Sequence, residues 1–382
     1  MKLIKIIALL TIVVLSSVKG FPEFPITTDQ SYQCCPSIYG DIVVWTDKRN
    51  GSWDVYGVNL LTGEEFPVAT GPSQHWYQAI YGDIVVWEDD RNGNNDIYGY
   101  NLLTGEEFQI TTDPSDQHAP AIYNDIVVWT DDRNGNPDIY GYNLSTGEEF
   151  QITTNAESQY GPAICKDIVM WIDERNGSRD IYGHNLLTNE EFQITADSLN
   201  QLNVAIYNDI VVCGGFYSEN CDVRMYNLST GEEFQIPAHS DSCFPNTFLP
   251  AIYENIIFWT EYSGTSDDIK GYNLLTGEEV VIAAPKDQRG PAIYNDIVVW
   301  TDERNGNPDI YGCNFSELEW APCTTPPLKP PATELPSDTI DFQPSPATYS
   351  LIFALGIAVV CVLLMIIGRE EEFNPLVEGR KL

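Results

Sequence analysis

The sequence predicts an all-β fold, a seven-bladed β-propeller of four-stranded blades, followed by one C-terminal transmembrane helix. Three observations lead to this prediction. A unit of about 42 residues recurs seven times and accounts for nearly all of residues 24–315. Each unit carries four short segments rich in β-branched and aromatic residues. The last unit lacks its fourth segment, and the N-terminus supplies a spare one.

The first twenty residues have the pattern of a signal peptide. Lys2 and Lys5 precede an apolar run from Ile6 to Leu15, and small residues follow from Ser16 to Gly20. The apolar run is shorter than the ~20 residues that a bilayer span needs. We therefore assign residues 1–20 to a signal peptide and expect the propeller that follows it to be exported.

The repeated unit is clearest in its third copy, from Pro120 to Thr154. Its predicted strands are Ala-Ile-Tyr, Ile-Val-Val-Trp, Asp-Ile-Tyr-Gly-Tyr and Glu-Glu-Phe-Gln-Ile, with Asn-Asp, Asn-Gly and Thr-Gly turns between them. The second strand is apolar without alternation, so neighbouring blades must cover both of its faces. A tryptophan marks this strand at spacings of 41 to 46 residues, with Cys213 in the fifth place: Trp45, Trp87, Trp129, Trp171, Trp259 and Trp300.

The two ends of the repeat region predict how the ring closes. The seventh unit stops after its third strand, near Phe315, with no Glu-Glu-Phe-Gln-Ile segment behind it. Phe24 to Thr28 matches that missing fourth strand. Pairing of the N-terminal strand with the last blade would remove an exposed sheet edge. We therefore expect seven blades within residues 21–320, with the N-terminal strand closing the last blade.

These residues resemble the TolB-like propeller repeat. The matching features in the third unit are Thr112, Pro120, the apolar strand Ile126 to Trp129, and an Asp-x-Arg-x-Gly-x-x-Asp-Ile-Tyr pattern from Asp131 to Tyr140. The combination of signal peptide, acidic propeller and C-terminal anchor also looks like archaeal cell-surface repeat proteins. The resemblance implies a propeller that usually makes protein or glycan contacts, and it does not fix the ligand.

The fifth unit departs from the pattern. Cys213 replaces the tryptophan, Gly215 replaces the following aspartate, and Arg224 and Met225 replace the tyrosine and glycine of the third strand. Cys213 and Cys221 flank the turn between two adjacent strands. One hypothesis is a Cys213–Cys221 disulfide that stabilises this hairpin, and the alternative is two free or differently paired thiols.

Acidic residues recur in the turn between the second and third strands, paired seven positions apart. Carboxylates beside asparagine oxygens suit calcium, the one cofactor that the sequence indicates. The other interpretation is structural, because Asp, Asn and Gly form turns and the arginine can pair locally with the carboxylates. The candidate ligands are Asp47, Asp54, Asp89, Asp96, Asp131, Asp138, Asp173, Asp180, Asp302 and Asp309.

The linkers that enter the first strands vary while the strands barely change. A constant scaffold with varied loops is typical of a recognition surface, and unselected loop drift is the alternative. This face would also carry the acidic turns. The candidate ligand-binding residues are Gln33, His75, Trp76, Tyr77, His118, Tyr160 and Arg289.

The sequence contains no catalytic motif of the common hydrolase or metalloprotease kinds. We therefore expect a binding protein rather than an enzyme. Some TolB-like propellers are lyases whose metal is held by linker histidines, and His75, His118 and His239 fall on linkers of one face. A polysaccharide lyase is thus the enzymatic alternative.

The net charge of −37 falls to −40 once the signal peptide with its three lysines is removed. Such a field repels nucleic acid and attracts cations and basic partners, although it also promotes solubility. Five sequons mark candidate N-glycosylation sites, which predicts a surface glycoprotein. They are Asn50, Asn143, Asn176, Asn227 and Asn314.

The C-terminal part reads as an anchor. A Pro/Thr/Ser-rich stalk covers residues 321–347, a predicted transmembrane helix residues 348–368, and a tail residues 369–382 with Arg369, Arg380 and Lys381. The positive-inside rule puts the tail in the cytoplasm and the propeller outside. The predictions are thus a single-pass cell-surface protein that binds an extracellular protein or glycan, or a structural cell-envelope component that binds cations.

Overall fold

A computed structural model describes residues 23–196, 200–217, 220–237 and 249–322. Within these ranges no helix is long and apolar enough to cross a membrane. The predicted signal peptide, transmembrane helix and tail, and nearly all of the stalk, lie outside the described residues. Those assignments therefore stay predictions.

The described residues form seven antiparallel sheets, one for each blade. Each sheet contains at least four strands, which run in order from an inner strand to an outer strand. The first strands of successive blades contact one another, which places them nearest the central axis. Hydrogen-bonded neighbours follow chain order in every sheet with two exceptions: the first described strand closes the last blade, and the last described strand joins the sixth blade as a fifth strand. The prediction of an all-β, seven-bladed propeller is confirmed.

The chain begins with β1 (Glu23–Pro25), which belongs to the last blade. Blade 1 consists of β2 (Gln33–Tyr39), β3 (Ile42–Asp47), β4 (Asp54–Asn59) and β5 (Glu64–Ala69). Blade 2 consists of β6 (His75–Tyr81), β7 (Ile84–Asp89), β8 (Asp96–Asn101) and β9 (Glu106–Gln109). Blade 3 consists of β10 (Gln117–Tyr123), β11 (Ile126–Asp131), β12 (Asp138–Asn143) and β13 (Glu148–Gln151). Blade 4 consists of β14 (Gln159–Cys165), β15 (Ile168–Asp173), β16 (Asp180–Asn185) and β17 (Glu190–Gln193).

The remaining blades follow the same order. Blade 5 consists of β18 (Asn200–Tyr207), β19 (Ile210–Tyr217), β20 (Asn220–Asn227) and β21 (Glu232–Pro237). Blade 6 begins with β22 (Ala251–Tyr253), β23 (Ile256–Tyr262), β24 (Asp267–Asn273) and β25 (Glu278–Ile282). Blade 7 contains β26 (Gln288–Tyr294), β27 (Ile297–Asp302) and β28 (Asp309–Asn314), after which comes a short 3₁₀ helix, Phe315–Glu317. The last strand, β29 (Ala321–Pro322), pairs with β25 as a fifth strand of blade 6.

Strand β1 closes the ring by pairing with β28 of blade 7. Phe24 lies opposite Gly312, and the Thr27 hydroxyl accepts a 2.8 Å hydrogen bond from the amide of Ile310. The Glu23 carboxylate forms a 2.5 Å ion pair with Arg304. These contacts confirm that the N-terminal strand supplies the fourth strand of the last blade.

The core lies between blades rather than within them. The six repeat tryptophans are at most 1% exposed, and each packs against apolar residues of the preceding blade. Trp87 of blade 2, for example, shares a cluster with Val44 and Val55 of blade 1. Burial of both faces of the second strand explains its unbroken apolar sequence, and truncating one such tryptophan would cost about 3–5 kcal/mol.

The strand register of blade 5 contradicts the predicted disulfide. Cys213 lies opposite Arg224, whereas Cys221 lies opposite Phe216, three residues further along the hairpin. Three residues of strand span about 10 Å, well beyond the Cα separation of about 6 Å that a disulfide allows. The Cys213–Cys221 bridge is therefore wrong. The Cys213 sulfur lies 3.5 Å from Oε1 of Gln201 in a fully buried position.

A belt of tyrosines joins the ends of the first strands. Adjacent rings lie 4.6 to 5.0 Å apart between centroids. Cys165 occupies the corresponding place in blade 4 and accepts a hydrogen bond from the amide of Asn208. The belt links the blades at the end of the first strands opposite the variable linkers. Its members are Tyr39, Tyr81, Tyr123, Tyr207, Tyr253 and Tyr294.

Candidate functional site

The first aspartate of each acidic turn is held by donors of its own blade. In blade 3 the Asp131 carboxylate accepts from the Trp129 indole at 2.9 Å and from Arg133 Nε and Nη2 at 2.8 and 2.6 Å. Arg133 also reaches Glu149 of the fourth strand at 2.6 Å and lies 4.2 Å from the centre of the Tyr140 ring. One arginine thus ties the second, third and fourth strands together.

The carboxylate of the second aspartate in the turn also accepts hydrogen bonds from donors of its own blade. Asp138 accepts from Asn134 at 2.7 Å, from Gln151 at 3.3 Å and from the Thr153 hydroxyl at 3.3 Å. The same threonine hydroxyl accepts a 2.8 Å bond from the amide of Ile139. This carboxylate organises the junction between the third and fourth strands.

These contacts favour the structural interpretation of the acidic turns. The ten carboxylates are at most 3% exposed. No group of three or more His, Cys, Asp or Glu side chains in the described ranges is arranged to hold a metal ion. Arginine pairs locally with the first aspartate of five turns. Calcium binding by the ten turn aspartates stays a prediction. The residues are Asp47, Asp54, Asp89, Asp96, Asp131, Asp138, Asp173, Asp180, Asp302 and Asp309.

Two of the predicted ligand-binding residues are buried in this network. Gln33 is fully buried and accepts a 3.2 Å bond from the Thr27 hydroxyl. His75 is 1% exposed, with Nδ1 2.9 Å from the carbonyl oxygen of Trp53 and Nε2 3.3 Å from the Asp89 carboxylate. Burial alone would lower the pKa of His75, but the hydrogen bond and charge of Asp89 outweigh it and raise the pKa. Neither side chain reaches the surface in this structure. Ligand binding by Gln33 and His75 stays a prediction.

A break in each first strand shapes the centre of this face. The register of β2 against β3 shifts between Cys34 and Ser37, and β6, β10, β14, β18 and β26 shift at the same place. The residue at the bulge has a positive φ in every one of them, for example 59° at Cys35 and 49° at Tyr77. The bulge re-aims the backbone so that side chains next to it face the axis.

Hydrogen bonds from one blade to the next hold these bulges. The amide of Cys35 donates to the Thr301 hydroxyl at 3.0 Å, and the amide of Gly161 donates to the Thr130 hydroxyl at 3.1 Å. In blade 3 the amide of Ala119 donates instead to the Glu88 carboxylate at 2.6 Å. The residue after the repeat tryptophan therefore fixes the pocket wall of the following blade. The strand pattern of the sequence does not reveal this role, although a threonine follows most of the repeat tryptophans.

The bulges surround a cavity of about 490 Å³, which we call the central pocket. Five prolines form much of its wall: Pro36, Pro120, Pro162, Pro250 and Pro291. Tyr32, Tyr77 and Leu249 add exposed apolar surface, with 44%, 64% and 43% of each residue accessible. Cys34, Cys35 and Gln78 complete one side of the pocket.

The charges at the central pocket are mostly compensated. Arg289 lies 2.5 Å from the Asp267 carboxylate, and it also pairs with Asp287 and Glu303. Burial, reinforced by neighbouring negative groups, raises the pKa of both Tyr32 and Tyr77. Both phenols are therefore neutral hydrogen-bond donors at physiological pH. The pocket offers apolar surface, phenolic hydroxyls and a slight excess of negative charge.

The other predicted ligand-binding residues lie beside the central pocket rather than in its wall. Trp76 is half-buried in β6 next to Tyr77. His118 lies 3.5 Å from the Glu88 carboxylate, whose hydrogen bond raises the pKa of the imidazole. The Tyr160 hydroxyl donates to Glu174 at 2.9 Å, and burial followed by that contact raises its pKa to about 12. The structure thus brings only Tyr77 and Arg289 of the predicted set together in one cavity.

The sequons fall into two structural groups. Asn50 and Asn176 lie in the acidic turns, where each side-chain amide donates to an aspartate and a tyrosine. Asn143, Asn227 and Asn314 end third strands, and their side-chain oxygens accept from the amide two residues on. Glycosylation at all five asparagines remains a prediction. In the second group the side-chain nitrogen takes no part in these turn contacts, which use the side-chain oxygen.

Comparison with known proteins identifies the fold, but it identifies neither a ligand nor an activity. The chain matches no protein-family model and no curated protein. An oligogalacturonate lyase in complex with manganese is 13% identical with a TM-score of 0.61, covering 76% of this chain and 92% of its own. TolB from Acinetobacter baumannii is 15% identical with a TM-score of 0.51, covering 69% and 65%. The fold is that of a TolB-like propeller.

A third solved structure of similar fold differs in its closure. The β-propeller domain of the Trilobed protease from Pyrococcus furiosus is 13% identical with a TM-score of 0.59, covering 78% of this chain and 99% of its own. It is described as having an open velcro topology, whereas β1 closes the last blade here. At such identities the likeness extends to the fold and not to a ligand or an activity.

Proposed function

We propose that this protein is a membrane-anchored cell-surface propeller that binds an extracellular protein or glycan in its central pocket, without catalysing a reaction. The observation that carries the proposal is the exposure of Tyr77 and Tyr32 on a proline-walled cavity at the axis. Aromatic rings with a free hydroxyl stack on sugar rings and on peptide side chains while donating hydrogen bonds. A rigid scaffold that holds them lowers the entropic cost of binding.

The charges favour an uncharged or basic ligand. Among the described residues of the pocket wall, Arg289 is the only cationic one, and three carboxylates already surround it. An acidic sugar would have to displace those partners and would approach a strongly negative protein. A neutral glycan or a basic peptide segment meets neither obstacle. We infer that ligands of these two kinds occupy the pocket.

The anchoring part of the proposal rests on the sequence. A signal peptide at residues 1–20 and an apolar segment at 348–368 would put the propeller outside and the tail in the cytoplasm. The stalk at residues 321–347 would act as a spacer between the propeller and the membrane segment.

The test uses the full chain in detergent, applied to an array of neutral and acidic glycans and to a library of basic and acidic peptides. We expect a neutral glycan or a basic peptide to bind, and Tyr77→Ala to weaken binding by about tenfold or more. Ala119 adopts a φ of 50° at the corresponding bulge, so alanine is compatible with this backbone. Leu275→Ala is the control, because Leu275 is 77% exposed and does not line the pocket.

Two results would overturn the pocket as the binding site. Equal affinity of the wild type and the Tyr77→Ala variant would move the contact elsewhere. Equal loss in the Leu275→Ala variant would indicate a general surface effect. Extraction of the protein from the envelope only after addition of a chelator would support the structural role instead.

A lyase is the second candidate, favoured only by the fold shared with the oligogalacturonate lyase. Of the three linker histidines, His75 is buried and His239 lies outside the described residues. His118 is accessible, with 36% of its side chain exposed beside Glu88 and Asp132. Cleavage of an acidic polysaccharide by the wild type, and its loss in His118→Ala, would replace the binding proposal. We expect no cleavage by either protein.

A further inference from the structure

Two adjacent cysteines face the central pocket. Cys34 and Cys35 occupy the positions that Trp76 and Tyr77 hold in blade 2. Both carry thiols in this structure, and their sulfur atoms lie 3.0 Å apart. A disulfide needs a separation of about 2.0 Å, so a small movement would bring the two sulfurs within bonding distance.

The bulge is what brings the two sulfurs together. In a regular strand, adjacent side chains point to opposite faces, which keeps neighbouring cysteines apart. Here Cys35 has a φ of 59° and the register shifts directly after Cys34, so the two side chains turn toward each other. The Cys35 amide is fixed by the Thr301 hydroxyl, and its carbonyl oxygen accepts from the Gln78 side chain. Neighbouring blades therefore hold the pair in this arrangement.

The pair is also accessible, unlike Cys165, Cys213 and Cys313. Cys35 is exposed and Cys34 is half-buried, and both line the central pocket. Cys165, Cys213 and Cys313 are buried. The contact between the sulfurs lowers the pKa of Cys35, which favours the thiolate needed for exchange.

We propose that Cys34 and Cys35 form a vicinal disulfide in the exported protein. A small-molecule disulfide outside the cell is the oxidant. The Cys35 thiolate attacks one sulfur of that disulfide and expels a thiolate, and Cys34 then attacks the mixed disulfide and expels the second. One S–S bond forms in the protein and one breaks in the oxidant, while the two cysteine protons pass to the two released thiolates.

The disulfide would give the central pocket a fixed sulfur-containing stretch of wall. Closing a ring between consecutive residues restrains the bulge and removes two thiol hydrogens from the pocket surface. The disulfide does not depend on the proposed binding function. It requires only that the propeller is exported, as that proposal also assumes. Failure of Tyr77→Ala to affect binding would leave the disulfide intact, and reduced cysteines would leave the binding proposal intact.

The disulfide can be tested by tryptic digestion and mass spectrometry, because trypsin separates Cys34 and Cys35 from the other cysteines. Trypsin releases residues 21–48, a peptide in which Cys34 and Cys35 are the only cysteines. The full exported chain is denatured in N-ethylmaleimide without reductant, digested and weighed by mass spectrometry. We expect this peptide to lack maleimide and to be lighter by two hydrogens than the dithiol, and to take up two maleimides after reduction. Cys165, alone in its peptide of residues 134–166, controls for complete alkylation.

A second arm starts from the reduced, folded protein and adds oxidised glutathione. We expect ring closure with release of two glutathione thiols per chain, and no lasting glutathione adduct on this peptide. Cys35→Ala should instead keep one glutathione on Cys34, and Ala119 is the precedent for alanine at this backbone position. Cys34→Ser provides the reciprocal variant if Cys35→Ala does not fold.

Three outcomes would overturn the proposal. The exported wild-type peptide would carry two maleimides without reductant, or it would be recovered linked to another cysteine-containing peptide. Alternatively, the wild type would keep a glutathione adduct as Cys35→Ala does. Each result rejects a disulfide between the adjacent cysteines in the native chain.

Discussion

At the scale of single residues, the partner across the strand decides what each polar side chain of the repeat does. Five of the repeat tryptophans donate their indole N–H to an aspartate. In blade 6, Glu261 replaces that aspartate and pairs with Lys270 at 2.6 Å, which leaves the Trp259 indole nitrogen without an acceptor. The same tryptophan therefore has a polar role in five blades and only a packing role in the sixth.

His75 provides a residue-scale prediction about pH. It faces Asp89 and Asp54, with Nδ1 3.5 Å from Asp54, and its pKa in the folded state is raised. A raised pKa contributes stability that is complete below the unfolded value of about 6.5 and is lost as the pH rises through the folded value. We expect His75→Gln to lose more stability at about pH 5.5 than at about pH 8.5, measured by urea unfolding.

Glutamine is the matched replacement because it fills this position in other blades, at Gln33, Gln117, Gln159 and Gln288. Its amide preserves the shape of the site and does not titrate. A stability difference between His75→Gln and the wild type that is constant across this pH range would contradict a charged imidazole in the fold.

At the scale of the element, the N-terminal strand is short and yet holds the ring. It contributes a fourth strand to blade 7, a carboxylate to Arg304 and a hydroxyl to Ile310. Glu23 thereby replaces the glutamate that other blades provide from within their own sequence, such as Glu149. Because β1 and β28 lie at opposite ends of the repeat region, forming this contact costs more loop-closure entropy than pairing strands within one unit.

Removal of residues 21–30 should therefore destabilise the whole propeller. Losing the ion pair and several buried hydrogen bonds costs about 3–5 kcal/mol, which corresponds to a fall in Tm of roughly 10 °C. Circular dichroism of the full chain and of the truncated chain gives the comparison. Removal of residues 21 and 22 alone, which spares the strand, is the control. An unchanged Tm after the longer truncation would argue against closure by β1.

At the scale of the whole molecule, charge is the dominant property. Acidic residues exceed basic ones by 37, and most arginines of the described blades are already paired with carboxylates. The excess negative charge repels itself across the surface and destabilises the compact state. Salt screens such repulsion over about 10 Å at 0.1 M.

We expect the Tm to rise with sodium chloride and to rise equally with calcium chloride at the same ionic strength. Screening depends on ionic strength, whereas a bound calcium ion would add stability at far lower concentrations. Differential scanning calorimetry of the full chain measures both series. A calcium-specific increase that saturates would support calcium binding, and the turn aspartates are the predicted ligands.

Much of the fold follows from the sequence because it depends on local and periodic information. The four segments of each unit, their turns and the unpaired strand at each end specify seven blades and their closure. The candidate site is less predictable from the sequence. Alternation in a regular strand gave no indication that Gln33 and His75 turn inward while Tyr77 turns outward at a bulge.

The sequence by itself determined the architecture of this protein: seven blades, a core of tryptophans between them, and an N-terminal strand that completes the last blade. Only the tertiary structure decided which polar residues are buried, where the central pocket lies, and that Cys34 and Cys35 face each other. The physical reason is that repeat period and strand chemistry are encoded along the chain, whereas burial and side-chain direction arise where bulged strands from different blades meet around the axis.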